Sequence, residues 1–247
     1  ELGAIAVQAA LADLQLDPQD IDLTVVGHVL QAGGGQNPGR QTAVASGIPL
    51  NVPALTLNAV CLSGMEAIAY GHRIIHSGEA SIVVCVGQES MSNAPHVVKN
   101  SRTGTKYGAM EVVDSLELDG LTDAFGKCSM GVSTEEGNDE RGWGREEQDN
   151  WAALSHQRAS ANSDFHSDEI APVAIENRRG VVLVDSDEGI RGDSTPETMA
   201  KLRPAFAPTG TITAGNASPI SDGAACVILM SEEVANSRGI TGLARII

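Results

Sequence analysis

The chain has 247 residues, 42% of them hydrophobic and only 3% aromatic, with 27 glycines; that length can bury a sizeable core, and the composition suits close packing of helices on sheets. Sixteen cationic against 32 acidic residues give a formal charge of −16, which excludes general nucleic-acid binding, because that needs a basic face; it leaves room for an anionic ligand held by local Lys or Arg. No apolar run approaches the about 20 residues that a bilayer-spanning helix needs, no signal peptide is visible, and the four cysteines, at 61, 85, 128 and 226, form no CxxC or His/Cys cluster, so a metal site is not expected and a reducing, cytoplasmic setting is.

The first residues, LGAIAVQAALADLQL, predict a helix with Leu2, Ile5, Ala6, Ala9 and Leu14 near one face. DLTVVGHVL (22–30) reads as a buried strand, QAGGGQNPGR (31–40) as a loop, and QTAVASG as a short helix stopped at Gly47. ALTLNAV is a strand, SGMEAIAYGHRIIHSG a helix ended by Gly78, and ASIVVCVG another strand. Short connections between these elements predict a layered α/β domain with buried strands. From Ser92 the texture turns polar and irregular. Within that stretch, REEQDNWAALSHQRASAN (145–162) is a helix, VAIENRRGVVLV two strands about an Asn-Arg-Arg-Gly turn, and TPETMAKLRPAF a helix start capped by Thr195 with Pro196 at its first position. SDGAACVILMSEEVANSRGI restores a strand, an N-cap at Ser231 and a helix stopped by Gly239. The chain begins inside a helical pattern and ends on LARII, which reads as a strand beginning, so a fragment is expected.

Cys61 falls between the strand ALTLNAV and the helix that follows. The first N–H groups of a helix lack helical acceptors and favour negative charge, and the thiolate is the reactive form of cysteine. Ser63 and Gly64 follow at once, and the helix behind them is apolar on most faces, which predicts a central, buried element. A free cysteine is also commonly a small core hydrophobe, and on this local pattern both readings stand. Cys85, inside a short apolar strand, is expected in the core. His72 and His76 have the i,i+4 spacing of a metal pair, without a third ligand.

Four segments in order resemble the thiolases: NAVCLSGMEAIAYGHRIIHSGEASIVVCVGQESMSNAPH (58–96), REEQDNWAALSHQRA (145–159), MAKLRPAF (199–206) and TAGNASPISDGAACVILMS (213–231). The resemblance implies an α/β, thiolase-like layered α-β-α fold, the N-terminal half of an α-β-α-β-α sandwich. Residues 1–91 and 221–242 would form the N-terminal domain, 92–220 an inserted loop domain that binds coenzyme A, and 243–247 the first residues of a further domain. It implies an acyl-CoA acyltransferase, an acetyl-CoA acetyltransferase or β-ketothiolase of fatty acid metabolism, with Cys61 as the acylated nucleophile. Arg191 matches a position that contacts the adenine nucleotide, or is a solvated loop charge; Ser218 matches one near the pantetheine, or is a turn residue. Leu121, Met130, Thr198, Leu202, Phe206 and Ala214 match tunnel-lining positions and would equally suit a core. Acyl-CoA and coenzyme A would be substrates and no cofactor is implied; neither nucleic acid nor membrane is an expected partner, and family habit implies a homodimer or homotetramer.

The sequence departs from that pattern at Ser129, where many short-chain members carry His, and at Leu62, where Gly is more frequent. It holds no Gly-His-Pro, no Asn-Glu-Ala-Phe and no late Cys-x-Gly, the motifs that supply the family's acid/base groups. Claisen chemistry needs a nucleophile, a base and oxyanion donors, so the 247 residues alone are not expected to turn over. A coenzyme A-binding or assembly module and a related condensing enzyme are the alternatives.

Overall fold

In the computed structural model, which describes residues 1–247, the elements in chain order are α1 (Leu2–Asp13), β1 (Leu23–Gly27), α2 (Pro38–Ala45), β2 (Ala54–Leu57), α3 (Ser63–His76), β3 (Ile82–Glu89), β4 (His96–Val97) and β5 (Val113–Asp114). They continue as α4 (Met130–Arg141), α5 (Arg145–Ala161), α6 (Ser163–Glu169), β6 (Val173–Asn177), β7 (Gly180–Val184), α7 (Pro196–Met199), β8 (Gly223–Met230) and α8 (Glu232–Arg238). Two units result: Glu1–Gly120 with Ser221–Ile247, and Leu121–Ile220. The texture break expected at 92 lies 29 residues before the outward boundary at 121, and residues 92–120 group with the first unit.

The first unit is built on one sheet in the order β2-β1-β3-β8. β1 runs parallel to β2 and to β3, in register Val25↔Leu55 and Val25↔Cys85, and β8 closes the edge antiparallel, with Val86 opposite Cys226. Strand alternation divides the core into two layers. Val26, Ile82, Val84 and Val86 meet Val7 and Leu11 of α1 and Ala43 of α2 on one face; Leu23, Val25, Val83 and Cys85 meet Ala67, Ile68 and Ile74 of α3 on the other. β1 is buried along its whole length, as a central strand covered on both faces should be. Each fully buried valine contributes about 1.5–3 kcal/mol.

Three expectations need correcting. α1 buries Gly3, Ala4, Val7 and Leu11, whereas Ala9 is exposed and Leu2, Ile5, Ala6 and Leu14 are only partly covered; almost every position of this helix is apolar, so periodicity could not select its face. α3 is covered on one side only, through Ser63, Ala67 and Gly71, and Met65 is 68% exposed. Leu243–Ile247 form no strand, since a strand needs a paired neighbour and neither edge of the sheet receives this segment.

The second unit holds α4 to α7 and the hairpin β6–β7, paired Val173↔Val184 through Asn177↔Gly180. α5 begins at Arg145 with Glu146 and Glu147 in its first turn, complementing the helix dipole. Thr195 caps α7, its Oγ1 accepting the Thr198 N–H, with Pro196 at the first helical position. Buried carboxylates organise this unit. Glu135 of α4, 7% exposed, accepts the N–H groups of Thr211 and Ile212 and the Thr211 hydroxyl at 2.8–2.9 Å. Burial pushes its pKa up and these donors pull it down; the donors win and it lies below the usual value. Asp149 of α5 accepts from Arg145 Nε at 2.7 Å and from Asn216 Nδ2 at 2.9 Å, while Arg145 Nη2 donates to the carbonyls of Met199 and Leu202 at 2.7 and 2.9 Å. Three of the sequence segments singled out for their resemblance thus meet on one arginine–aspartate pair.

Candidate active site

Cys61 lies on a sharp bend between β2 and α3, two residues before the helix begins, and is exposed. Three small residues let the bend exist. A Cβ on Gly27, the last residue of β1, would meet the Ser63 carbonyl oxygen at 2.5 Å and Gly64 N at 2.7 Å, and the Cα atoms of Gly64 and Gly87 are the nearest neighbours that a Cβ on either would find, at 3.4–3.5 Å. The first turn of α3 therefore rests directly on the ends of β1 and β3. Further along, Gly71 leaves room for Cys85, whose Sγ a Cβ there would approach to 2.8 Å. Gly64, Ala67 and Gly71 thus form the face by which α3 lies on the sheet.

The bend is latched by side chains. Val60 has φ +54°, a left-handed conformation that a β-branched residue adopts only under constraint, costing on the order of 1–3 kcal/mol. Asn58 Oδ1 accepts the Val60 N–H at 2.8 Å; Ser63 Oγ accepts the Ala59 N–H at 2.9 Å and donates to the Val60 carbonyl at 2.6 Å. Ser63 N–H also donates to the Val60 carbonyl, at 3.0 Å. A strained residue held from both sides thus stands directly before a cysteine that is exposed at the surface and not part of the core. Cys85 is the contrast: it is 2% exposed, with Sγ 3.3 Å from the Ala67 carbonyl, and burial first, then the neighbouring Cys226, pushes its pKa up to about 12.

The remaining predicted residues belong to the second unit. Leu121 ends a π-helical turn, Leu116–Leu121. Met130 opens α4, 41% exposed, and the ring of Phe206 lies where a Cβ on the adjacent Gly131 would be. Leu202 packs over Gly215, next to the exposed Ala214; a Cβ on Gly215 would stand 2.5 Å from Leu202 Cδ1. Met130, Leu202 and Phe206 are each about two-fifths exposed, at 41%, 39% and 41%, so they are surface-lining rather than core. Thr198 is exposed, but its hydroxyl is committed to the α7 cap, donating to the Thr195 carbonyl at 2.8 Å. Arg191 is exposed and its Nη1 donates to the carbonyls of Glu188 and Ile190; Ser218 is exposed in the loop after Asn216. Ser129 accepts the Val132 N–H as N-cap of α4. His72 and His76 stack with ring centroids 6.0 Å apart, and no three His, Cys, Asp or Glu side chains converge as a metal site requires.

Gly27, Asn58 and Val60 shape the bend, and residue type alone does not mark them as site residues. Asn58 stands in the Asn-x-x-Cys pattern, and an Asn two residues before a turn is a known signal for a side-chain-to-backbone latch. Gly27 carried none beyond being a glycine at a strand end, because its close neighbour is 36 residues away.

Comparison with known proteins gives one picture. The thiolase N-terminal domain matches residues 1–233. A probable acetyl-CoA acetyltransferase of Mycolicibacterium smegmatis is 49% identical over all of the chain and 64% of its own length. An acetyl-CoA acetyltransferase of Chromobacterium violaceum is 45% identical, and a probable acetyl-CoA acyltransferase of Staphylococcus aureus 46% identical, each over 99% of the chain and 63% of its own length. The chain therefore spans a little under two thirds of the length of these relatives. With its layered sheet, its cysteine at the head of α3 and a family match that covers all but the last 14 residues, the chain belongs to the thiolase N-terminal domain family.

Proposed function

We propose that the chain serves an acyl-CoA acyltransferase, an acetyl-CoA C-acetyltransferase or β-ketothiolase, and that Cys61 carries the acyl group. The observation that carries this reading is the latched, strained bend that holds an exposed cysteine at the head of α3. The names of the relatives support the substrate class. In the first half-reaction the Cys61 sulfur attacks the thioester carbonyl of acyl-CoA. A new sulfur–carbon bond forms, coenzyme A leaves as its thiol with the proton that Cys61 gives up, and the acyl group stays on Cys61. The Cys61 backbone N–H is the proposed donor, one half of an oxyanion hole, to the developing oxyanion. In the second half-reaction the carbanion of a second thioester takes the acyl group, or coenzyme A takes it back in the degradative direction.

The proton transfers need an acid/base group, and residues Asn58 to Gly64, apart from the nucleophile itself, hold no carboxylate, imidazole or amine. We assign these groups to sequence outside the 247 residues, consistent with relatives that are longer by more than a third of their own length. Leu121, Met130, Thr198, Leu202, Phe206 and Ala214, with Arg191 and Ser218, are the proposed coenzyme A and acyl contacts; a guanidinium suits phosphate and adenine stacking. Val60, Leu62 and Met65 beside Cys61 are 50–68% exposed, a surface suited to cover by further chain or a second subunit, and we place the protein in the cytoplasm as a homodimer or homotetramer. No helix of the chain is long and apolar enough to cross a membrane.

The test is turnover of acetoacetyl-CoA and coenzyme A by a protein that includes the sequence beyond residue 247. Cys61→Ala is expected to remove activity, and the 247-residue chain alone to show none. Unchanged activity of Cys61→Ala would overturn the assignment of the nucleophile.

A further inference from the structure

Glu89 closes β3, and its carboxylate organises the chain that leaves β1. Oε2 accepts the Val29 N–H at 2.9 Å, Oε1 accepts the Leu30 N–H at 3.1 Å, and Oε1 lies 3.2 Å from Nε2 of His28. One side chain thus fixes three consecutive residues. Those residues are tied to the Cys61 bend twice. The His28 N–H donates to the Leu57 carbonyl at 3.0 Å, and Asn58 Nδ2 donates to the Val29 carbonyl at 3.4 Å. The other end of the same amide, Asn58 Oδ1, accepts the Val60 N–H at 2.8 Å. Asn58 is therefore oriented by residue 29 and in turn holds residue 60 in its left-handed conformation. Such a conformation persists only where its surroundings over-determine it.

We propose that Glu89 is a positioning residue for Cys61, acting through residues 28–30, the amide of Asn58 and the strained Val60. Glutamine at 89 keeps one acceptor oxygen and turns an NH₂ group toward donors that need acceptors. Residues 28–30 then lose their common anchor, the Asn58 amide loses its fixed partner, and Val60 relaxes toward ordinary backbone. Cys61 leaves the head of α3, although nothing that touches it has changed. The consequence for acyl transfer rests on the function proposed above; the positioning itself does not.

The experiment is alkylation of the 247-residue chain by iodoacetamide, in which the Cys61 sulfur bonds to the methylene carbon, iodide leaves and the thiol proton passes to buffer. Peptide mapping follows Cys61 and, as an internal reference, Cys128. Glu89→Gln is expected to slow Cys61 about two- to fivefold, because a sulfur displaced from the head of α3 loses the field of the helix N-terminus, which favours the anionic nucleophile. Asn58→Ser, which adds no charge, still offers a short-chain oxygen acceptor to the Val60 N–H but no amide to reach the Val29 carbonyl, so it should slow Cys61 similarly. The double variant should be no slower than the slower single one, because both cut one chain of contacts, and Cys128 should keep its wild-type rate throughout. A wild-type Cys61 rate in either single variant, or effects that multiply in the double, overturns the proposal; if Glu89→Gln does not fold, Asn58→Ser decides alone. Because alkylation needs no acyl-CoA, coupled alkylation rates with no acyl group ever found on Cys61 would remove the acyltransferase reading and leave the positioning intact.

Discussion

Gly27→Ala is the most direct probe of how the fold presents Cys61. The new Cβ would lie 2.5 Å from the Ser63 carbonyl oxygen and 2.7 Å from Gly64 N, both backbone atoms that cannot rotate away. Ordinary heavy-atom contact is at about 3.5 Å, so the first turn of α3 has to retreat by about 1 Å. Overpacking of this kind costs about 1–3 kcal/mol; at about 2–4 °C per kcal/mol for a chain of this size, 2 kcal/mol lowers the melting temperature by about 4–8 °C. The displaced turn carries Cys61 with it, so alkylation of Cys61 should slow as well. Circular dichroism melts and peptide-mapped labelling read the two effects. Gly223→Ala is the control, since a Cβ there meets no heavy atom within 4 Å. Melting and labelling of Gly27→Ala that match both the wild type and Gly223→Ala would refute the argument that α3 seats directly on the strand ends.

Three further outcomes follow from the same structure. Val60→Gly removes the β-branched side chain from a left-handed position; relief of about 1–2 kcal/mol of strain against glycine's extra unfolded-state entropy leaves stability unchanged or slightly raised, and a loss of more than about 1 kcal/mol would show that Val60 is held for packing instead. Both tryptophans, Trp143 and Trp151, lie in the second unit, so their fluorescence follows that unit alone. Arg145→Lys cannot reach Asp149, Met199 and Leu202 together and should destabilise the unit by about 2 kcal/mol in urea, with an unchanged midpoint as the contrary result. Glu135 has a native pKa below its ordinary 4.5, so its contribution is present above that value and lost as pH falls through the native one. The advantage of wild type over Glu135→Gln, about 2 kcal/mol at neutral pH, should therefore shrink below pH 4.5; an advantage that persists or grows on acidification contradicts the role given to the carboxylate.

Local physics reached far along this chain. Gly78 and Gly239, placed as helix stops by residue type, both take positive φ, +78° and +68°. Thr195 and Ser231, read as N-caps, accept the N–H groups of Thr198 and Val234. The Asn-Arg-Arg-Gly turn joins β6 and β7 as the alternation suggested. Legibility stopped where the deciding contact is distant in sequence. α1 could not declare its buried face, because β3 and β8, which choose it, lie far along the chain, at Ile82–Glu89 and Gly223–Met230. One-sided burial of α3 was hidden for a related reason: an apolar helix reads alike whether one layer or two cover it. At the bend, Cys61 and its small neighbours were visible in sequence, but the latch was not, since Glu89 and Val29 meet only across the ends of β1 and β3. The boundary at Leu121 escaped because residues 92–120 are loop-like in composition yet pair, through β4 and β5, within the first unit.

The claim that Cys61 becomes acylated is tested most directly by mass mapping of a protein that carries this chain together with the sequence beyond it, quenched in acid during incubation with acetyl-CoA. The account predicts a single acetyl group, on the peptide that contains Cys61, absent from Cys61→Ala and discharged by added coenzyme A. An acetyl group at Cys85, Cys128 or Cys226, or none at Cys61 while the protein turns over, would contradict it.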